Sequence, residues 1–278
     1  GRKKEIIEFK QKRTISDYLK SHGFESKYTE ASGISYEQTS VLLSKYLENE
    51  FMDHYNALAS LRSKRNKKTL DISNSEKIKS FLEYIEFNPT DNKLSSAEIK
   101  YLTGDWLEEY VTDTIKKELA LENEEIATGV ILSKNLPSEH LNSVEQLLDV
   151  TDNDTGPVNE FDVMFTYKNN FYTVECKTSI YYTDANGKEI DILGETIYKA
   201  DYLKNKFGLR AKSNILTLTD FQKYTKNNNS RKNKYKELIN RCNLSNIKLI
   251  DGNMISDLIE NKTSLSDLIL WKYANKFI

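Results

Sequence analysis

Apolar residues recur every three or four positions at Leu43, Leu47, Phe51, Tyr55, Leu58 and Leu61, which predicts one long amphipathic helix. That helix runs into the basic stretch Ser63-Lys64-Arg65-Asn66-Lys67-Lys68, and a shorter helix follows across Glu76 to Ile85. Residues up to about 95 thus read as mostly helical. Their apolar stripe reads as core or helix–helix packing, with a dimer contact as the sharper alternative, and no recognition helix of a helix-turn-helix module stands out. The pattern changes at Ser95-Ser96-Ala97-Glu98, a capping-box start in which serine and glutamate satisfy each other's free N–H groups, and a long helix continues through Leu119. Strands are expected at Ala127–Leu132, Asn159–Tyr167 and Phe171–Lys177. Then come a helix over Gly194–Phe207, a strand over Asn214–Thr219, a helix near Arg231–Arg241, a strand over Ile247–Asp251, and helices at Met254–Ile259 and Leu265–Tyr273. This order predicts the α/β class: a mixed central sheet flanked by helices and preceded by a mostly helical region, with a boundary near residue 95.

The two adjoining strands carry the chemistry. If Asn169-Asn170 forms the two-residue type I′ loop that asparagine favours, Lys168 faces Phe171. Asp162 is then opposite Lys177, and Met164 is opposite Glu175. Alternation puts Asp162, Glu175 and Lys177 on one face and Phe161, Val163, Phe165, Val174 and Cys176 on the other. Asp162 and Glu175 become diagonal neighbours, roughly 5–8 Å apart at Cβ. Two carboxylates at that spacing suit one hard divalent cation, and a lysine beside them suits phosphodiester hydrolysis: the cation makes a nucleophile from water and neutralises charge on phosphoryl oxygens. The expected metal ligands are Asp162 and Glu175, with the Cys176 carbonyl as a third and Mg²⁺ or Mn²⁺ as the ion. Lys177 would hold the attacking water or stabilise the phosphorane. Glu175-Cys176-Lys177 lies on a short strand among apolar residues, where two charges are otherwise avoided.

Upstream, Gly104-Asp105-Trp106-Leu107-Glu108-Glu109-Tyr110-Val111 opens a helix whose buried edge is Leu107, Val111 and Ile115. Glu108 or Glu109 can then point into the same cleft, and Glu108 is taken as the helper and further metal ligand; the bland role for the pair is a solvated first-turn acid favoured by the helix dipole. Lys199 is a candidate contact to a substrate phosphate, or ordinary surface charge. The Lys-, Arg- and Asn-rich stretch from Lys223 to Lys236 reads as a solvated loop or as a phosphate-contacting flap carrying Lys223, Lys226 and Arg231.

Composition narrows the alternatives. With 278 residues and a net charge of −2, bulk electrostatics give no pull toward nucleic acid, so any such site is a local patch. No apolar run approaches the ~20 residues that span a bilayer, so no membrane association is expected. The two cysteines, Cys176 and Cys242, read as buried thiols in a reducing cytoplasm, and three scattered histidines argue against zinc. Asp152-Asn153-Asp154 suggests a calcium loop, but Gly156 and Val163 would occupy its fifth and twelfth positions, which excludes it. Gly1 in place of a starting methionine suggests a trimmed chain.

These residues resemble the PD-(D/E)xK restriction-endonuclease-like superfamily, with Phe161-Asp162 in place of the proline-aspartate pair. The closer resemblance covers nearly the whole chain, to the C-terminal part of CRISPR ancillary nucleases that couple a CARF sensor to this nuclease fold. It rests on Ile15-Ser16-Asp17-Tyr18-Leu19, His22-Gly23-Phe24, Leu102-Thr103-Gly104-Asp105-Trp106-Leu107-Glu108, Asn159-Glu160-Phe161-Asp162-Val163, Val174-Glu175-Cys176-Lys177-Thr178, Leu203 to Gly208 and Ile250-Asp251-Gly252. The resemblance implies a homodimer that degrades single-stranded RNA, DNA or both without sequence preference in antiviral defence. It implies a helical connector or dimerisation region over 1–95 and a nuclease domain over 96–278. Cyclic oligoadenylate would act only through an N-terminal sensor domain that this sequence does not contain. The alternative is a catalytically silent nucleic-acid-binding or scaffold module on the same fold.

Overall fold

The alternating residues 159–177 form an antiparallel hairpin at the centre of a six-stranded sheet. The computed structural model describes residues 14–28, 39–46, 48, 51–59, 61, 69–134, 159–183 and 189–270. The basic run at 63–68, the acidic loop with its calcium-loop candidate up to residue 158, and the chain after residue 270 lie outside the described residues. The strands are β1 (Phe24–Tyr28), β2 (Thr69–Asp71), β3 (Lys93–Ser95), β4 (Ile126–Lys134), β5 (Asn159–Tyr167), β6 (Asn170–Lys177), β7 (Tyr181–Thr183), β8 (Glu189–Asp191), β9 (Ala211–Thr217) and β10 (Ile247–Ile250). The helices are α1 (Ile15–Ser21), α2 (Thr39–Lys45), α3 (Phe51–Ala59), α4 (Glu76–Tyr84), α5 (Ser96–Lys100) and α6 (Trp106–Leu119), followed by α7 (Leu193–Lys206), α8 (Phe221–Thr225), α9 (Asn229–Leu244), α10 (Gly252–Ile259) and α11 (Leu265–Ile269).

The sheet order is β1-β4-β5-β6-β9-β10. Pairs from β1 through β6 are antiparallel, whereas β6–β9 and β9–β10 are parallel. Parallel neighbours need a crossover. Here α7 supplies the first, burying Leu193, Ile197 and Ala200 against Ile215, and α9 lies in the second, burying Cys242 beside Ile247 and Leu249. The other face of the sheet, with Val163, Phe165, Val174 and Cys176, packs against Leu107, Val111 and Ile115 of α6 in a core that also takes in Leu42, Phe51 and Phe81. The expected mixed sheet flanked by helices, with a helical N-terminal region, is therefore the observed fold.

Three local expectations are corrected. The 43–61 stripe is two helices, α2 and α3, because the apolar spacing continues across a break where Phe51 stacks on Tyr55 and meets Tyr46 and Phe81 edge-on. Residues 24–28, in the region read as helical, form β1 at the sheet edge. The preceding α1 is held to that side by Tyr18, which stacks on Phe171 at 4.4 Å and donates to the Phe207 carbonyl at 2.8 Å. The stretch 223–236 is largely helical: Asp220 accepts from the N–H groups of Gln222 and Lys223 to cap α8, and Asn228 accepts from that of Arg231 to cap α9.

The capping box at Ser95 and Glu98 forms as expected. The helix it starts is interrupted by a π-helical turn over Tyr101–Asp105 before α6 begins. The displaced Thr103 carbonyl is met by the hydroxyls of Tyr55 at 2.5 Å and Thr178 at 3.2 Å, and these hydroxyls are 2.6 Å from each other. This triangle ties the π-turn that leads into α6 to the residue after Lys177. A π-turn at such a point is a common device for aiming side chains at a site.

Gly252 opens α10 in a space with no room for a side chain. A Cβ there would lie 2.4 Å from the Leu218 carbonyl oxygen, 2.6 Å from the Tyr46 hydroxyl and 2.8 Å from the Asp220 nitrogen. Gly252→Ala is expected to destabilise the chain by about 1–3 kcal/mol, since two of the three neighbours are backbone and cannot yield cheaply. Urea unfolding checks this; an unchanged midpoint would refute the close-packing account.

Candidate active site

The hairpin turn is Lys168-Asn169, both at positive φ (47° and 60°), so Tyr167 pairs with Asn170. The sequence expectation placed the loop one residue later. The pairing is therefore shifted by two: Val163 faces Val174 and Phe165 faces Tyr172, a cross-strand stack with centroids 4.7 Å apart. Continued by one residue, this register sets Asp162 across from Glu175 rather than from Lys177. A shift of two leaves the faces unchanged, because strand side chains alternate with period two.

Alternation itself breaks at Asp162. The β4–β5 ladder skips the Gly129–Asp162 pair, and Gly129 has φ of +60°. Beyond that point Phe161 packs with Met164, Phe171 and Phe207, not with Val163 and Phe165 as expected. The β5–β6 ladder also ends, at Val163–Val174, and the Asp162 carboxylate takes the place of the next backbone acceptor. Its Oδ2 accepts the Cys176 N–H at 2.7 Å.

The structure brings Asp162, Glu175 and Lys177 together. Lys177 Nζ is 3.2 Å from Asp162 Oδ2 and 2.8 Å from Glu175 Oε1. Lys199, projecting from α7, donates to both Glu175 oxygens at 3.0 and 3.1 Å. Of the two readings for Lys199, substrate contact or plain surface charge, the geometry shows a third: a partner of the Glu175 carboxylate. Cys176 contributes its N–H to Asp162, while its buried thiol faces the α6 core and is pushed up by burial.

Burial, followed by the charge of Glu175, pushes Asp162 up to about 6 despite Lys177 and the Cys176 N–H. Burial alone would lower Lys177, but Asp162 and Glu175 outweigh it and hold the ammonium above the usual lysine range. Glu108, in the first turn of α6, is pushed up to about 9 by burial and then by the charges of Asp162 and Asp105. Glu109 instead accepts a hydrogen bond from Tyr101. Of the neighbouring pair, Glu108 is thus the one electrostatically joined to the cluster. Among the described residues no three His, Cys, Asp or Glu side chains already converge as a metal cage. The donor set nevertheless suits a hard cation: two carboxylates share one ammonium, and the proton affinities of Asp162 and Glu108 are raised as expected of acids lacking a sufficient counter-charge.

Lys223, Lys226 and Arg231 are not drawn onto these carboxylates. They line a neighbouring cavity of about 420 Å³ with Tyr224 and Asp220. Arg231 lies 4.5 Å over the Tyr224 ring, which stacks on Tyr181, and Lys223 pairs with Asp220 at 3.6 Å. The cavity adjoins the site, since the Leu218 N–H in its wall donates to the Lys177 carbonyl at 3.2 Å. Both features lie off the carboxyl ends of the parallel strands β6, β9 and β10, where open α/β sheets place their ligands. The sequence reading missed Tyr55, Thr103 and Thr178 as site supports; the threonine directly after Glu175-Cys176-Lys177 was the available signal.

A mixed sheet flanked by helices, with an Asp–Glu–Lys cluster at the ends of its parallel strands, defines an α/β domain organised around paired carboxylates. The family described as Card1-like, endonuclease domain, matches residues 95–254, more than half of the sequence, and the chain belongs to that family. Comparison with curated proteins gives no match. Among solved structures, the crystal structure of protein VC1899 from Vibrio cholerae is similar, with a TM-score of 0.57 and 19% identity. The likeness covers 95% of this chain and 62% of that one, and it shows a shared fold. No helix among the described residues is long and apolar enough to cross a membrane.

Proposed function

We propose that this domain is a divalent-metal-dependent endonuclease that hydrolyses phosphodiester bonds of single-stranded RNA, DNA or both. The observation that carries the reading is the convergence of Asp162, Glu175 and Lys177 at 2.8–3.2 Å in a member of an endonuclease family. Asp162 and Glu175 would hold Mg²⁺ or Mn²⁺, with Glu108 and the Cys176 carbonyl as further donors. A bound ion would supply a hydroxide-like nucleophile and neutralise phosphoryl charge.

The protein's own groups have distinct tasks. Lys177 is the cation nearest both carboxylates, placed to orient the attacking water or stabilise the charge developing at phosphorus. Lys199 restrains the Glu175 carboxylate through both oxygens, which limits its rotation. The Cys176 N–H does the same for Asp162. Glu108 holds its proton at neutral pH while no cation balances Asp162 and Asp105, and would release it on joining a bound ion as a carboxylate donor. Family membership supports a CRISPR-linked nuclease. Homodimeric assembly, a role in antiviral defence and control by cyclic oligoadenylate bound at a sensor domain are further parts of this proposal and rest on the sequence resemblance alone.

The test is cleavage of labelled single-stranded RNA, single-stranded DNA and supercoiled plasmid in Mg²⁺, Mn²⁺ or EDTA. Cutting that requires the metal supports the reading and shows the preferred polymer. Absence of cutting, together with absence of Mn²⁺ binding at the cluster, would sink it and leave a silent nucleic-acid-binding module.

A further inference from the structure

The inner side of α7 is committed to the core through Leu193, Ile197 and Ala200. Its outer side carries two exposed tyrosines: Tyr198 is 65% exposed and Tyr202 44% exposed. Spaced four residues apart, they are neighbours on the helix surface, with Cβ atoms roughly 6 Å apart. Lys199, adjacent to Tyr198 and three residues before Tyr202, reaches Glu175 at 3.0 Å. One turn further on, Lys206 Nζ lies 4.8 Å over the Tyr202 ring. Tyr202, three residues after Lys199, therefore shares a helix face with the lysine that reaches the carboxylate cluster, and Tyr198 extends that face on its other side.

Glu195 and Asp201 belong to the same helix, so the stripe is only weakly cationic and phosphate attraction alone would hold little. What it offers is exposed aromatic face. Unpaired bases stack on such faces without sequence preference, whereas bases inside a duplex are already stacked on one another. We propose that Tyr198 and Tyr202 form a base-stacking platform that holds unpaired nucleotides of a single-stranded nucleic acid beside Glu175 and Lys177. The occupant follows from continuity with the cluster, and the proposal rests on reading that cluster as a phosphodiester-cleaving site. Lys206 contacts the strand backbone, and the platform delivers the adjoining phosphate toward Lys177.

The test is fluorescence anisotropy with labelled 12-nucleotide RNA and DNA in EDTA, comparing intact oligonucleotides with versions carrying consecutive abasic sites. The unsubstituted chain is expected to prefer the intact strands, and each of Tyr198→Ala and Tyr202→Ala to weaken them roughly ten-fold. Binding of abasic strands should not change, Tyr198→Phe/Tyr202→Phe should keep the preference, and Leu209→Ala and Leu244→Ala, which alter the other large exposed apolar side chains, should have no effect. The proposal is overturned by equal affinity for intact and abasic strands, by no binding at all, or by alanine variants that dissociate a dimer without altering oligonucleotide affinity. The RNA and DNA arms show which polymer the platform holds. Base-dependent binding without metal-dependent cleavage would sink the hydrolase reading and keep the platform; cleavage without base-dependent binding would sink only the platform.

Discussion

Lys177→Ala is expected to lower metal-dependent cleavage by two to three orders of magnitude while the chain stays folded. Lys177 is the group in contact with both Asp162 and Glu175, and a preorganised cation beside a phosphoryl centre contributes on the order of 10²–10³ in rate. The fold should survive because the remaining partners are intact: Asp162 keeps the Cys176 N–H at 2.7 Å, and Glu175 keeps Lys199. Loss of the ammonium raises the proton affinity of Asp162 further, so Asp162 can shed its charge instead of unfolding the hairpin. Asp162→Asn provides the complementary case. Its amide oxygen still accepts from the Cys176 N–H, but a neutral group is a poor ligand for a hard cation. Single-turnover cleavage checks both variants, with circular dichroism confirming the fold. Rates within a few-fold of the parent chain would remove these residues from the catalytic machinery.

Glu108→Gln is expected to stabilise the chain in EDTA, increasingly so as pH rises. Burial and the neighbouring acids hold Glu108 up to about 9, against 4.5 ordinarily. Between those values the folded chain keeps a proton that the unfolded chain has lost, so stability falls as pH rises through that window. Asp162 adds a smaller fall between 3.8 and about 6. Removing the Glu108 titration should flatten the slope of melting temperature against pH and raise stability at pH 8 by on the order of a few kcal/mol. Mg²⁺ or Mn²⁺ should rescue the parent chain at alkaline pH but rescue the variant less, because an ion bound to the folded state supplies the missing counter-charge. Parallel pH profiles for parent and variant would refute the electrostatic link. A gain in stability with a loss of cleavage would be the usual exchange at a site kept strained for its chemistry.

Much of this was legible along the chain. The capping box at Ser95 and Glu98, both strands of the hairpin and the order of the later elements follow from local spacing, and local spacing acts through nearest neighbours on one helix or strand. The cluster was legible for a related reason. Asp162, Glu175 and Lys177 lie on adjoining strands with one short turn between them, so an error of one residue in the turn moved the pairing by two and left the acids on the same face. The break at Gly129 and Asp162 was not legible, and it is what turns the Asp162 carboxylate onto the Cys176 N–H.

The sequence by itself therefore determined the hairpin, most of the later elements, the fold class and the Asp162–Glu175–Lys177 cluster, because each depends on periodicity or on residues close along the chain. Tertiary structure decided the rest. It set Lys199 on Glu175, joined Glu108 rather than Glu109 to the cluster, moved Lys223, Lys226 and Arg231 to a neighbouring cavity, and built β1 into the sheet. Each of these depends on how a helix or strand packs against one distant in sequence, where a rotation of one residue, 100° on a helix, re-aims a side chain and no local pattern records the outcome.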